Sequence, residues 1–119
     1  MSNKMEREIR FRGKQIGTGE WRNCTSIDVS ISGTVLIGYE EVDPKTVGQY
    51  SGINDKNGKG IYEGDIVAWV DGGGNERADI VQWKNAGLSL TKTSLAIGSY
   101  MSVLGNIHDD PEVIKTIIT

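Results

Sequence analysis

SGINDKNGKGIYEGDIV, residues 51–67, sets a polar Asp-Lys-Asn-Gly-Lys-Gly run against Ile-Tyr-Glu-Gly-Asp-Ile-Val. Three readings compete for it: a calcium loop, a catalytic carboxylate pair, and a turn that launches a strand. A calcium loop of the EF-hand kind needs oxygen ligands at positions 1, 3, 5 and 12 and glycine at position 6. Asp55, Asn57 and Gly60 fit positions 1, 3 and 6, but position 5 is Lys59, a cation, and position 12 is Ile66, which offers no oxygen. Glu63 and Asp65 stand at i, i+2, the spacing that puts two side chains on one face of a strand. Gly64 between them signals a turn or bulge, where a carboxylate commonly accepts hydrogen bonds from nearby backbone N–H groups. The stretch therefore reads as a hairpin-type turn, with Asn57-Gly58 supplying positive-φ residues, that feeds a strand over Ile66–Val70.

That strand is apolar on both sides, Ile66, Ala68 and Val70 on one and Val67 and Trp69 on the other. Such a strand is central in its sheet or covered by another element. Beyond it, Asp71-Gly72-Gly73-Gly74-Asn75 closes a hairpin onto RADIVQW (77–83), in which Ile80 faces opposite to Val81 and Trp83. LSLTKTSLAIG (88–98) continues in shorter strand-like pieces, and YMSVLGNI (100–107) is the closing strand. In DDPEVIKTIIT (109–119), Asp110 can cap a short helix, Pro111 suits its first position and Glu112 suits the positive end of its dipole. Val113, Ile114, Ile117 and Ile118 then form one apolar stripe, a candidate protein-interaction surface.

Toward the N-terminus, REIRFRGK (7–14) alternates, with Ile9 and Phe11 on one side and Glu8, Arg10, Arg12 and Lys14 on the other. This predicts a strand with one face buried. Gly17-Thr18-Gly19 turns the chain toward Trp21. In SIDVSISGTVLIGY (26–39), Ile27, Val29 and Ile31 alternate with polar residues, Ser32-Gly33 turns, and Val35, Ile37 and Tyr39 alternate again, which predicts a hairpin. EEVDPKTVGQYSG breaks the pattern, and Asp43-Pro44 can begin a helical turn there.

Composition narrows the function classes. A chain of 119 residues with 37% hydrophobic and 24% charged residues suits one soluble domain. Its 16 glycines against 2 prolines favour turns and short strands. Cys24 is the single cysteine and His108 the single histidine, so an intramolecular disulfide and a Cys- or His-rich metal site are excluded. No GxSxG elbow or P-loop is present; DGGGNE lacks the lysine and the following helix of a phosphate cradle. No apolar run approaches a membrane span and the N-terminus lacks the apolar core of a signal peptide, so the expected location is cytoplasmic. The net charge of −3 argues against a generic polyanion binder. The charge is uneven, however: residues 1–60 hold nine Lys/Arg against eight Asp/Glu, and residues 61–119 hold four against eight. Arg10, Arg12 and Lys14 form the candidate nucleic-acid contact, with Trp21 or Tyr50 available to stack on bases. The competing reading is a solvated edge strand whose charges discourage aggregation.

REIRFRGK with Trp21 following, the long block VDPKTVGQYSGINDKNGKGIYEGDIV (42–67), and VLGNIHDDPEVI near the end together resemble the YopX family of small phage and prophage proteins. His108, where an aromatic is more usual, and Gly60, where a bulkier residue is, are the departures. The resemblance implies a phage or prophage origin, action in the host cytoplasm and a mostly-β fold, and it carries no catalytic residues across. The expectation is a mainly β chain: a small barrel or sandwich of short antiparallel strands, SH3-like in one form, with a short C-terminal helix. Residues 1–6 are expected to form a flexible extension, with Met5 an alternative start, and 7–119 a single domain. The expected function is that of a non-enzymatic accessory protein, without metal or cofactor, that self-associates or binds a phage or host protein. The alternative is a nucleic-acid-binding module.

Overall fold

Short strands joined by glycine-rich turns make up the protein. The computed structural model describes residues 8–84, 87–89 and 100–113, with backbone alone at 83, 84 and 87–89. The strands are β1 (Phe11–Lys14), β2 (Trp21–Cys24), β3 (Ile27–Val29), β4 (Val35–Ile37), β5 (Glu40–Val42) and β6 (Gly48–Asn54). They are followed by β7 (Gly60–Tyr62), β8 (Asp65–Val70), β9 (Glu76–Ile80), β10 (Gln82–Lys84), β11 (Gly87–Ser89) and β12 (Ser102–Asn106). The fold is mainly β and antiparallel, as expected, with the described strands in small sheets of four, two, three and three rather than in a closed barrel. The expected extension over residues 1–6 lies outside the described residues.

The chain divides into two units, Met1–Gly52 and Ile53–Thr119. In the first, β1 lies between β2 and β6, and β3-β4-β5 form a separate meander. Val35, Ile37 and Val42 are buried, and Phe11, Cys24, Ile27 and Val47 pack against them. The predicted hairpin is present, with Ile27 opposite Ile37 and Val29 opposite Val35. Its outer residues differ from expectation: Val29 and Ile31 are exposed, and Tyr39 belongs to a turn. Gly38 and Tyr39 have φ of 58° and 70°, the two-residue turn whose twist matches antiparallel strands. This turn folds Glu40–Val42 back onto β4, so the segment expected to break the pattern is itself a strand, anchored by the fully buried Val42. Pro44–Thr46 then makes the expected helical turn, and Asp43 caps it by accepting the Lys45 N–H at 3.0 Å.

In the second unit, β8 is the central strand of β12-β8-β9, as its two apolar faces predict. Val67 is buried with Ile61, Val81 and Met101, while Ile53, Trp69 and Val103 pack around them. A bulge between Val103 and Gly105 lets β12 accommodate Leu104, which is left facing solvent. Pro111–Val113 begins a helical turn as expected. Asp110 stands at the start of this turn and its carbonyl accepts the Val113 N–H at 3.0 Å, while its carboxylate accepts the Asn106 N–H at 3.2 Å and lies over Gly105, where an added Cβ would stand 2.9 Å from its Cγ.

One turn recurs three times, at Ser30–Thr34, Asp55–Lys59 and Asp71–Asn75. In each, the first residue's N–H donates to the fifth residue's carbonyl at 2.9, 2.7 and 2.9 Å. The fourth residue, Gly33, Gly58 or Gly74, donates to the first residue's carbonyl at 3.0 Å, with φ of 95°, 84° and 82°. The side chain of the first residue accepts the fifth residue's N–H at 3.0, 2.9 and 2.9 Å. This is a three-residue hairpin loop ending in a left-handed glycine. The left-handed residue is Gly58 and not Asn57, a correction to the sequence reading.

Candidate functional site

The two aspartates of the opening stretch bind backbone N–H groups. Asp55 is buried, and its Oδ1 accepts the N–H of Asn57 at 2.8 Å and of Lys59 at 2.9 Å. Its Oδ2 accepts the Val103 N–H at 2.9 Å, which ties the turn to β12. Asp65 is 1% exposed, and its Oδ2 accepts the Tyr62 N–H at 2.8 Å across the Glu63-Gly64 turn. Glu63 is half-buried on that turn, at whose second position Gly64 takes φ of 93°. Backbone bonding accounts for the burial of both aspartates, since a buried carboxylate needs such donors. His108 is half-buried, and its N–H donates to Asn106 Oδ1 at 2.9 Å. Among the described residues, no three or more His, Cys, Asp or Glu come together as a metal site.

These hydrogen bonds make stability depend on acid. Burial alone would raise the Asp55 carboxyl, but the N–H groups of Val103, Lys59 and Asn57 and the Lys59 charge hold it below the ordinary value. Asp71 is lowered to about 2, chiefly by the Asn75 N–H and by Arg77, whose Nε lies 2.8 Å from Oδ2. In the unfolded chain both carboxyls take up protons near 3.8; in the folded chain they resist to lower pH. Their contribution is complete above about pH 4 and falls as pH drops from there toward 2. Thermal melts between pH 5 and pH 2 are expected to show this loss, with a shallower decline in Asp71→Asn; an equal decline in both proteins would refute the assignment.

The second unit also holds a groove of about 810 Å³ on the open face of β12-β8-β9. Its floor is a row of short side chains, Ser102 opposite Ala68 and Ala68 opposite Ala78. Val70, Tyr100 and Leu104 rise around it, at 65%, 76% and 56% exposure. Lys56, Glu76 and Arg77 add charges of both signs to the lining. Val113, the first residue of the predicted apolar stripe, lines the groove; Ile114, Ile117 and Ile118 lie outside the described residues. The sequence marked both faces of β8 as apolar but did not show the groove. The signal was present in Ala68 and Ala78, whose pairing depends on the Asp71–Asn75 turn.

Arg10, Arg12 and Lys14 fall on one face of the first unit's sheet. Arg12 is opposite Asn23 and Lys14 opposite Trp21 on β2, so these side chains share the face. The Arg12 guanidinium lies 4.7 Å and the Lys14 ammonium 5.7 Å from the Trp21 ring centroid. Arg10 donates to Asn23 Oδ1 and to Glu8 Oε2, each at 2.8 Å. Tyr50 of β6 donates its N–H to the Arg10 carbonyl, which places it on the other flank. The edge-strand alternative is corrected: β1 is paired on both sides.

Short antiparallel sheets joined by tight turns, with buried aspartates anchored on backbone N–H groups, define a small mainly β protein. A family model described as YopX protein matches residues 2–115, and the chain belongs to the YopX family. Among solved structures, it is similar to the crystal structure of protein EF1440 from Enterococcus faecalis. That likeness has a TM-score of 0.58 at 18% identity and covers 92% of this chain and 99% of the other, which shows a shared fold. No curated protein matches. Among the described residues, no helix is long and apolar enough to cross a membrane.

Proposed function

We propose that this YopX-family chain is a non-enzymatic phage or prophage accessory protein of the host cytoplasm, and that it works by binding another protein. The observation that carries the reading is the open groove over Ala68, Ala78 and Ser102, rimmed by three exposed apolar side chains. Contiguous exposed apolar surface of this kind marks interaction sites. The occupant is an extended, mostly apolar segment of a partner protein. The groove has the volume of a ligand pocket, and its lining falls well short of the ~800 Å² per partner that a stable dimer buries. Its charged lining residues suit the polar edges of such a segment.

Selection of random peptides displayed against the folded protein tests this. Enriched sequences are expected to carry apolar residues and to bind Ala68→Arg or Leu104→Glu about tenfold more weakly, a loss of ~1.4 kcal/mol. Leu104 is exposed, so its replacement leaves the core intact even if Ala68→Arg perturbs the sheet. No enrichment, or peptides that bind all three proteins equally, would overturn the proposal. A dimer in sedimentation that Leu104→Glu dissolves would replace the partner segment with a second copy.

A further inference from the structure

The cationic face of β1 lies in the first unit and plays no part in the groove. We infer that it is a binding face for single-stranded nucleic acid. Alternate residues on a strand are ~6.6 Å apart, so Arg10, Arg12 and Lys14 form a row of cations spaced like successive phosphates of an extended strand. β1 is held between β2 and β6, and the row is therefore set on a rigid sheet. Gly48 stands opposite Arg12 on β6 and places no side chain beside the row. Trp21 flanks the cations on β2 and Tyr50 on β6, so an aromatic ring borders each side.

Aromatic rings beside a cationic track are the elements from which single-strand sites are made. Phosphates follow the charges and unstacked bases lie on the rings, which a duplex cannot offer. Trp21 is oriented by Arg12 and Lys14 through their cation–π contacts. Tyr50 is a neutral phenol at neutral pH, and burial and the nearby Glu8 carboxylate raise it further above its ordinary value. Glu8 opposes ligand binding: its carboxylate occupies Arg10 at 2.8 Å and would compete with a phosphate. A small cationic row in a chain of net charge −3 implies modest affinity and strong dependence on salt.

The test is fluorescence anisotropy with labelled oligo(dT), oligo(U) and a duplex of equal length. With three phosphate contacts the slope of log K against log salt is expected near −2, so affinity falls about 20-fold between 50 and 200 mM salt. Arg10→Ala/Lys14→Ala should weaken binding about tenfold or more, while Glu8→Gln should tighten it several-fold. The latter gain cannot come from misfolding. No binding at low salt, or binding unchanged in the double variant and in Glu8→Gln, would overturn the inference. Duplex bound as tightly as single strand would overturn its stacking component.

Discussion

Gly13→Val is expected to lower the melting temperature by about 10 °C or more. Gly13 is buried in β1, on the face opposite the cations. A Cβ added there would lie 2.9 Å from Val42 Cγ2, 3.0 Å from Val42 Cβ and 3.2 Å from Ile37 Cδ1. Both neighbours are fully buried residues of the first unit's core, and their branched side chains have no space into which to retreat. Overpacking of a filled core costs about 1–3 kcal/mol, and the two further methyl groups of valine place this substitution at the upper end. Against a total stability of ~5–15 kcal/mol, that is a large share. Gly72→Ala is the control: an added Cβ there meets nothing within 4 Å and the backbone is ordinary. Calorimetry should show a large drop for Gly13→Val and almost none for Gly72→Ala; equal melting temperatures would refute the packing argument.

Asp55→Ala is expected to destabilise the second unit by about 3 kcal/mol or more. Three backbone N–H groups lose their acceptor at once, those of Asn57, Lys59 and Val103. The first two can turn to water. The bond to Val103 spans 48 positions in sequence and joins the β6–β7 turn to β12, so its loss releases a tertiary contact. Hydrogen bonds to a charged acceptor contribute about 1.5–3 kcal/mol each. Asp55→Asn keeps one carbonyl oxygen and should fall between wild type and alanine. Denaturant titration of the three proteins gives the order; an alanine variant as stable as wild type would show that the carboxylate does not hold the turn.

The parts of the fold that were legible in the sequence share a cause: each is specified by neighbours along the chain. The hairpin over 26–39, the helical turn after Asp43 and the strand Ile66–Val70 carry periodicity or turn residues of their own. Gly33, Gly58 and the Asp71–Asn75 run were legible as turn residues too, although Ser30 was read into the strand and the shared pattern of the three turns was not seen. Strands β5 and β6 were missed. Glu40-Glu41-Val42 has a single apolar residue, and Gly48–Asn54 scatters Tyr50 and Ile53 among glycines and polar side chains. Neither shows a period, because their extended form is imposed by pairing with β4 and β1.

The candidate surfaces divide in the same way. Alternation alone placed Arg10, Arg12 and Lys14 on one face of a strand, and the same logic gave β8 two apolar faces. Only the tertiary structure could bring Trp21 and Tyr50 beside that row, through register with β2 and β6. Only it could align Ala68 with Ala78 and Ser102, on strands distant in sequence, to open the groove. The stretch 51–67 makes the same distinction within one segment. Its composition was enough to favour a turn leading to a strand over a metal loop. That Asp55 reaches Val103 and that Asp65 is buried on the Tyr62 N–H were decided by packing, because a buried carboxylate is stable only where the fold supplies it with donors.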